Sequence, residues 1–177
     1  MRKIMFVGRS EAGKTTLKQA MKGEQITYHK TQYINHFDVI IDTPGEYAET
    51  KTLAGALAVY GCEADVIDLL MDATEPFSLY PPNLTSVSNR EIVGVVTKID
   101  HPLANVEQAS EWLRLAGCTK VFPVCSLDGA GLTAILDYLA IEGEIVPWEE
   151  AKRRGESIRF RRPGQESNDL DYQITVI

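Results

Sequence analysis

Gly8-Arg9-Ser10-Glu11-Ala12-Gly13-Lys14-Thr15 fits the pattern G-x-x-x-x-G-K-[S/T] without a mismatch, and its flanks give the match physical content. Ahead of it, Lys3-Ile4-Met5-Phe6-Val7 reads as a buried strand. Behind it, Thr16-Leu17-Lys18-Gln19-Ala20-Met21-Lys22 reads as a helix with Gly23 as its C-cap. A glycine-rich turn between strand and helix curls the backbone so that successive N–H groups face inward, and the positive helix end reinforces them. The residues expected to line this phosphate cradle are Gly8, Glu11, Ala12, Gly13, Lys14, Thr15 and Thr16. Lys14 would reach the β- and γ-phosphates, and the Thr15 hydroxyl would ligate Mg²⁺. The stretch predicts a nucleoside triphosphate site.

Outward from this loop, apolar runs rich in β-branched residues recur at 3–7, 37–41, 65–71, 92–97 and 121–125. Helical apolar spacing separates them at 53–60, 106–116 and 132–140, where Trp112, Leu113, Leu115 and Ala116 read as one buried helix face. Strands apolar on both faces, alternating with helices, indicate a mostly parallel sheet covered on both sides. The fold expected is therefore α/β, a three-layer α/β/α P-loop NTPase. The stretch 76–89, with Pro76, Pro81 and Pro82, predicts a short, loopy crossover with a brief helical piece at 82–87. From 141 onward the character changes. Alternation at 157–161 and 170–176, broken by Pro163-Gly164, predicts a β-hairpin in a C-terminal extension, 141–177, appended to a nucleotide-binding domain at 1–140.

Three further motifs follow strand-like runs, at the rim where such sheets hold ligands. Asp42-Thr43-Pro44-Gly45 offers a carboxylate for Mg²⁺ and a Gly45 N–H for a γ-phosphate oxygen. Thr97-Lys98-Ile99-Asp100 offers a buried carboxylate that would accept the two donors on the guanine edge, with the aliphatic stem of Lys98 packing over the base. Adenine lacks that donor pair, so an unpaired acceptor penalises ATP. Cys125-Ser126-Leu127 follows the fifth run; Ser126 and Leu127 are read either as a loop touching the base or, for Ser126, as an ordinary helix N-cap.

Composition narrows the partners. Hydrophobic residues at 44% and charged residues at 24% are those of an ordinary globular protein, and a net charge of −7 repels nucleic acid and anionic membranes. The three cysteines show no metal-type spacing, nor do the three histidines, so reduced thiols in a cytoplasmic compartment are expected. No apolar run has the length of a membrane span. Arg153, Arg154, Arg159, Arg161 and Arg162 form a basic cluster, read as solvated charge or as a contact for an acidic partner.

Thr97-Lys98-Ile99-Asp100 resembles the N-K-x-D guanine motif of GTPases, with Thr in place of Asn, a change expected to weaken a loop-bracing contact while sparing the specificity carboxylate. Order and spacing together resemble small GTPases of the translation-factor-related class, and the phosphate loop is similar to Era/TrmE-type loops. More specifically, Lys30-Thr31-Gln32 followed by Ile41-Asp42-Thr43-Pro44-Gly45-Glu46-Tyr47 resembles the EutP/PduV family of ethanolamine and propanediol utilisation. That resemblance implies a compact G domain binding GTP or GDP with Mg²⁺, in association with microcompartment shell or enzyme proteins. Thr31 is the candidate switch threonine for the Mg²⁺ shell, with Thr27 as its rival and an exposed strand threonine as the plain reading. Glu46 stands where Ras-like enzymes carry a water-orienting Gln; its charge is repelled by the γ-phosphate, which predicts slow hydrolysis. Glu11 is read as lining a K⁺ site or as a solvated loop residue. Lys14, Thr31 and Glu46 are thus the expected catalytic residues. A phosphotransferase acting on a carboxylate and a non-catalytic, nucleotide-bound scaffold are the competing functions.

Overall fold

Branched side chains packed on both sides of the same strands dictate the centre of this chain. The computed structural model describes residues 1–28, 40–42, 55 and 61–141. Five strands form one sheet: β1 (Ile4–Gly8), β2 (Ile40–Asp42), β3 (Val66–Asp72), β4 (Glu91–Thr97) and β5 (Val121–Pro123). Their order is β2-β1-β3-β4-β5, and every pairing is parallel. All residues of β1 and β3 are buried, as is all of β4 beyond Glu91, which requires helices on both faces.

Those helices are α1 (Lys14–Tyr28), α2 (Val106–Leu115) and α3 (Leu132–Leu139). One face of the sheet packs Ile4, Phe6, Val66 and Leu70 against Leu17, Ala20 and Met21 of α1 and Leu132, Ile135, Leu136 and Leu139 of α3. The other packs Met5, Val7, Ile67 and Leu69 against Ala109 and Leu113 of α2 and against Tyr80 and Leu84 of the crossover. The spacing within α1 and α3 is the i, i+3, i+4 stripe of an amphipathic helix. Asn105 caps α2: its side chain accepts from the Gln108 N–H at 3.1 Å and donates to the Gln108 side chain at 3.1 Å, a reciprocal cap.

Three readings change. Helix α1 continues through Gly23 instead of ending there; Glu24 and Gln25 are good helix formers and no proline intervenes, so a glycine penalty of about 1 kcal/mol is tolerated. Strand β5 stops at Pro123, two residues early, because proline offers no N–H to extend a ladder and the chain turns so that the Cys125 N–H bonds the Ala130 carbonyl at 2.9 Å. Leu115 is 55% exposed, while Leu113 and Ala116 carry the buried face of α2. The crossover is short as expected, its helical piece a 3-10 turn at Leu84–Val87. Of the helical spacing at 53–60, Gly55 is described and is helical. The extension from 142 onward, with its hairpin, lies outside the described residues.

At the amino-terminal rim of the sheet the chain ties itself together. The Arg2 N–H donates to the Leu139 carbonyl at 2.7 Å, and its guanidinium donates to Glu91 at 2.6 Å and to the Tyr138 carbonyl at 2.5 Å. The same guanidinium lies 4.4 Å from the Tyr138 ring centroid, the Lys120 ammonium lies 4.1 Å from it, and the Tyr138 hydroxyl donates to Glu91. This knot joins β1, β4 and α3 at the end remote from the phosphate-loop motif.

Candidate functional site

Parallel strands put all their carboxyl ends on one rim, and here those ends are Gly8, Asp42, Asp72, Thr97 and Pro123. The phosphate-loop motif runs from Gly8 into α1. A Cβ on Gly8 would lie 2.9 Å from Leu70 Cβ and 3.0 Å from the Leu70 carbonyl, so glycine is required by the neighbouring strand itself. Glu11 at φ 67 and Gly13 at φ 91 are left-handed, the kind of reversal that turns successive N–H groups into one concavity. Helix α1 begins at Lys14, with the Leu17 N–H bonded to the Gly13 carbonyl at 2.8 Å. Lys14 is buried and its ammonium donates to the carbonyls of Gly8 at 2.7 Å and Arg9 at 2.6 Å. Ala12 is buried, Thr15 and Glu11 are exposed, and Thr16 is half-buried. Arg9 turns aside to pair with Glu75 at 3.0 Å.

Thr97 does supply a brace: its hydroxyl donates to the Ala12 carbonyl at 2.7 Å, joining the end of β4 to the phosphate loop. The short side chain succeeds because β3 and β4 hold it beside the loop: Thr97 is 2% exposed, and its Cβ lies 3.6 Å from where a Cβ on Gly13 would sit. Beyond it Lys98 adopts φ 56 and its ammonium pairs with Asp72 at 2.5 Å. Asp72, unremarked in the sequence, is the last residue of β3 and lies in register with Thr97. Burial pushes its carboxyl up, but Lys98 and the two donors of Thr74 outweigh that and hold it below the usual range.

Asp100 is exposed, not buried, because the chain turns outward after β4 into the bend that begins at Lys98. Near it lies Cys125, buried, with the carboxylates of Asp128 and Asp100 close to its thiol. Burial, with those carboxylates, pushes the thiol up to about 11. The 125–128 loop therefore comes near Asp100 at Cys125, a proximity the sequence reading missed by weighting Ser126. Ser126 is buried and does not cap a helix, since α3 begins after Gly131, five residues on; Leu127 is exposed. Asp42 ends β2 in register with Phe6. Thr27 falls within the last turn of α1, whereas Thr31, Gly45 and Glu46 lie outside the described residues. No cluster of three or more His, Cys, Asp or Glu side chains able to hold a metal occurs among the described residues.

A five-stranded parallel sheet between helices, opening on a strand–glycine loop–helix unit, defines the P-loop NTPase α/β fold. The chain belongs to the PduV-EutP family, described by ethanolamine utilisation and propanediol utilisation, whose sequence profile matches residues 1–141. It is 42% identical over 142 residues to the propanediol utilization protein PduV of Citrobacter freundii, covering 78% of this chain and 93% of that protein. It is 35% identical over 144 residues to the probable acetate kinase EutP of Escherichia coli K12, covering 79% and 90%. A more distant similarity, 27% over 169 residues, is to translation initiation factor IF-2 of Lachnospira eligens, of which the match covers 17%. No helix among the described residues is long and apolar enough to cross a membrane.

Proposed function

We propose that the protein is a Mg²⁺-dependent guanine-nucleotide-binding protein that hydrolyses GTP slowly. In this reading its nucleotide state serves an ethanolamine- or propanediol-type microcompartment system, through contacts with shell or enzyme proteins in the cytoplasm. The observation that carries the reading is the Thr97–Ala12 bond, which makes the phosphate loop and the Lys98–Asp100 segment one continuous rim. A nucleotide has a polyphosphate end and a purine end, and that rim offers chemistry suited to each. The left-handed turns at Glu11 and Gly13 and the Lys14 ammonium suit phosphate oxygens, with Gly8, Ala12, Thr15 and Thr16 completing the cradle. The exposed carboxylate of Asp100 suits the guanine donor edge, with Lys98, Ser126 and Leu127 beside it. Thr15, Asp42 and Thr31 would hold Mg²⁺, and Gly45 would meet the γ-phosphate. The ion, when bound, neutralises charge on the phosphates. Glu46 in place of glutamine accounts for the slow turnover, and Glu11 is proposed to line a K⁺ site. The similarity to an initiation factor IF-2 agrees with the resemblance to translation-factor-related GTPases.

Titration of GTP and ATP against the full chain tests this. GTP is expected to bind more tightly, and Lys14→Ala to lose most triphosphate affinity. Asp100→Asn is expected to shift preference toward xanthosine triphosphate, whose C2 oxygen needs a donor. Full GTP affinity in both variants would remove the assignment. A second reading, phosphoryl transfer to a carboxylate such as acetate, is favoured by the name of the EutP relative. Incubation with acetate and labelled nucleotide separates the two, since one yields acyl phosphate and the other free phosphate. Equal hydrolysis in potassium and sodium would discard the cation role of Glu11.

A further inference from the structure

We propose that Asp72 is a positioning residue for purine binding: it anchors the Lys98 ammonium at the end of β3, so that the lysine's methylene stem is presented as a platform for the ring. The inference rests on the nucleotide-binding reading above and adds a residue to it. Three observations carry it. First, Asp72 is itself immobilised, because its Oδ1 accepts from both the Thr74 N–H and the Thr74 hydroxyl at 2.8 Å, leaving Oδ2 to take the Lys98 ammonium at 2.5 Å. Second, the pair is lopsided in exposure. The Asp72 side chain is 8% exposed and that of Lys98 is 42% exposed. An ammonium docked on a nearly buried carboxylate leaves the stem as the part of the lysine in the open. Third, Lys98 adopts φ 56, a conformation uncommon for a residue with a side chain, immediately after Thr97 has bonded the phosphate loop. Backbone and side chain are thus held from opposite ends, and a long flexible residue is reduced to a fixed surface beside the Asp100 segment.

A strand-to-strand staple of no functional consequence would use the same ion pair, so the test needs a readout that a staple would not move. The affinities of GTP, ATP and inorganic tripolyphosphate are measured on the full chain carrying Asp72→Asn, Lys98→Met or both. A loss of roughly five- to twentyfold is expected for Asp72→Asn with both purine nucleotides, in line with one charge-assisted hydrogen bond. Tripolyphosphate, which has no ring, should bind as before. The GTP-to-ATP ratio should also hold, because Asp100 is untouched. In the Lys98→Met background Asp72→Asn should cost nothing further, since the residue it acts through is gone. Undiminished purine affinity in Asp72→Asn, an equal loss for tripolyphosphate, or additive losses in the double variant would each overturn the positioning role. Unaltered chain that binds tripolyphosphate but gains nothing from a purine would overturn the nucleotide reading and this inference together.

Discussion

Thr97 shows how much one hydroxyl can decide. It is fully packed and donates to a carbonyl of the phosphate loop, so the variant Thr97→Val keeps the shape and removes the bond. The Ala12 carbonyl then loses a buried donor, at a cost of about 1–3 kcal/mol. Urea denaturation should show that loss, and triphosphate affinity should fall with it if the bond also sets the loop's curl; a variant as stable as the native chain would show the bond to be dispensable. Little of this was legible beforehand. The sequence shows a threonine where an asparagine is the familiar residue, and side-chain length suggests a weaker brace. It does not show that the parallel register of β3 and β4 brings the shorter side chain within reach. Asp72 was overlooked for the same reason: it gains its role from a partner far away in the chain, Lys98. Lys14 was legible because its partners, the Gly8 and Arg9 carbonyls, are local, within a few residues of backbone.

Strands and helices divide along the same line. The runs buried on both faces announced β1, β3 and β4 within a residue or so, because such hydrophobicity has no other use in a chain of alternating elements. Ends were less legible: α1 passes Gly23, since a helix boundary is a competition between propensities of neighbouring residues and not a property of one glycine. The crossover read as loopy proves to be a structural brace. Tyr80 reaches from it beneath the phosphate loop, where its hydroxyl donates to the Leu70 carbonyl at 2.6 Å, with the Val7 carbonyl 3.2 Å away sharing the proton. Burial pushes this phenol well above its ordinary range, so it remains a donor at any working pH. Tyr80→Phe should therefore destabilise by about 1–2 kcal/mol without disturbing the packing of the ring. A thermal melt unchanged by that substitution would show that the strands hold their spacing without it.

The molecule keeps one acidic group where nothing described compensates it. Asp68, mid-strand in β3, is fully buried, and neither oxygen has a hydrogen-bond partner among the described residues. Its flanking positions on that strand face, Val66 and Leu70, belong to the core under α1 and α3. Burial pushes its carboxyl well above the ordinary value of 3.8. The folded state therefore holds a proton that the unfolded chain releases, and stability from this group is present at low pH and falls as pH climbs from the unfolded value through the folded one. Asp68→Leu should consequently gain more over the native chain at pH 8 than at pH 5, by chemical denaturation; an equal difference at both would refute a proton on Asp68. The candidate site and the anchoring of Arg2 occupy opposite rims of the sheet. Arg2 is stitched into Glu91, Tyr138 and Leu139 on the rim away from Lys14 and Asp100. A reporter or affinity handle fused ahead of Met1 would thus crowd the Tyr138 ring that Arg2 and Lys120 both approach, altering how firmly the molecule holds together while leaving the candidate site at a distance.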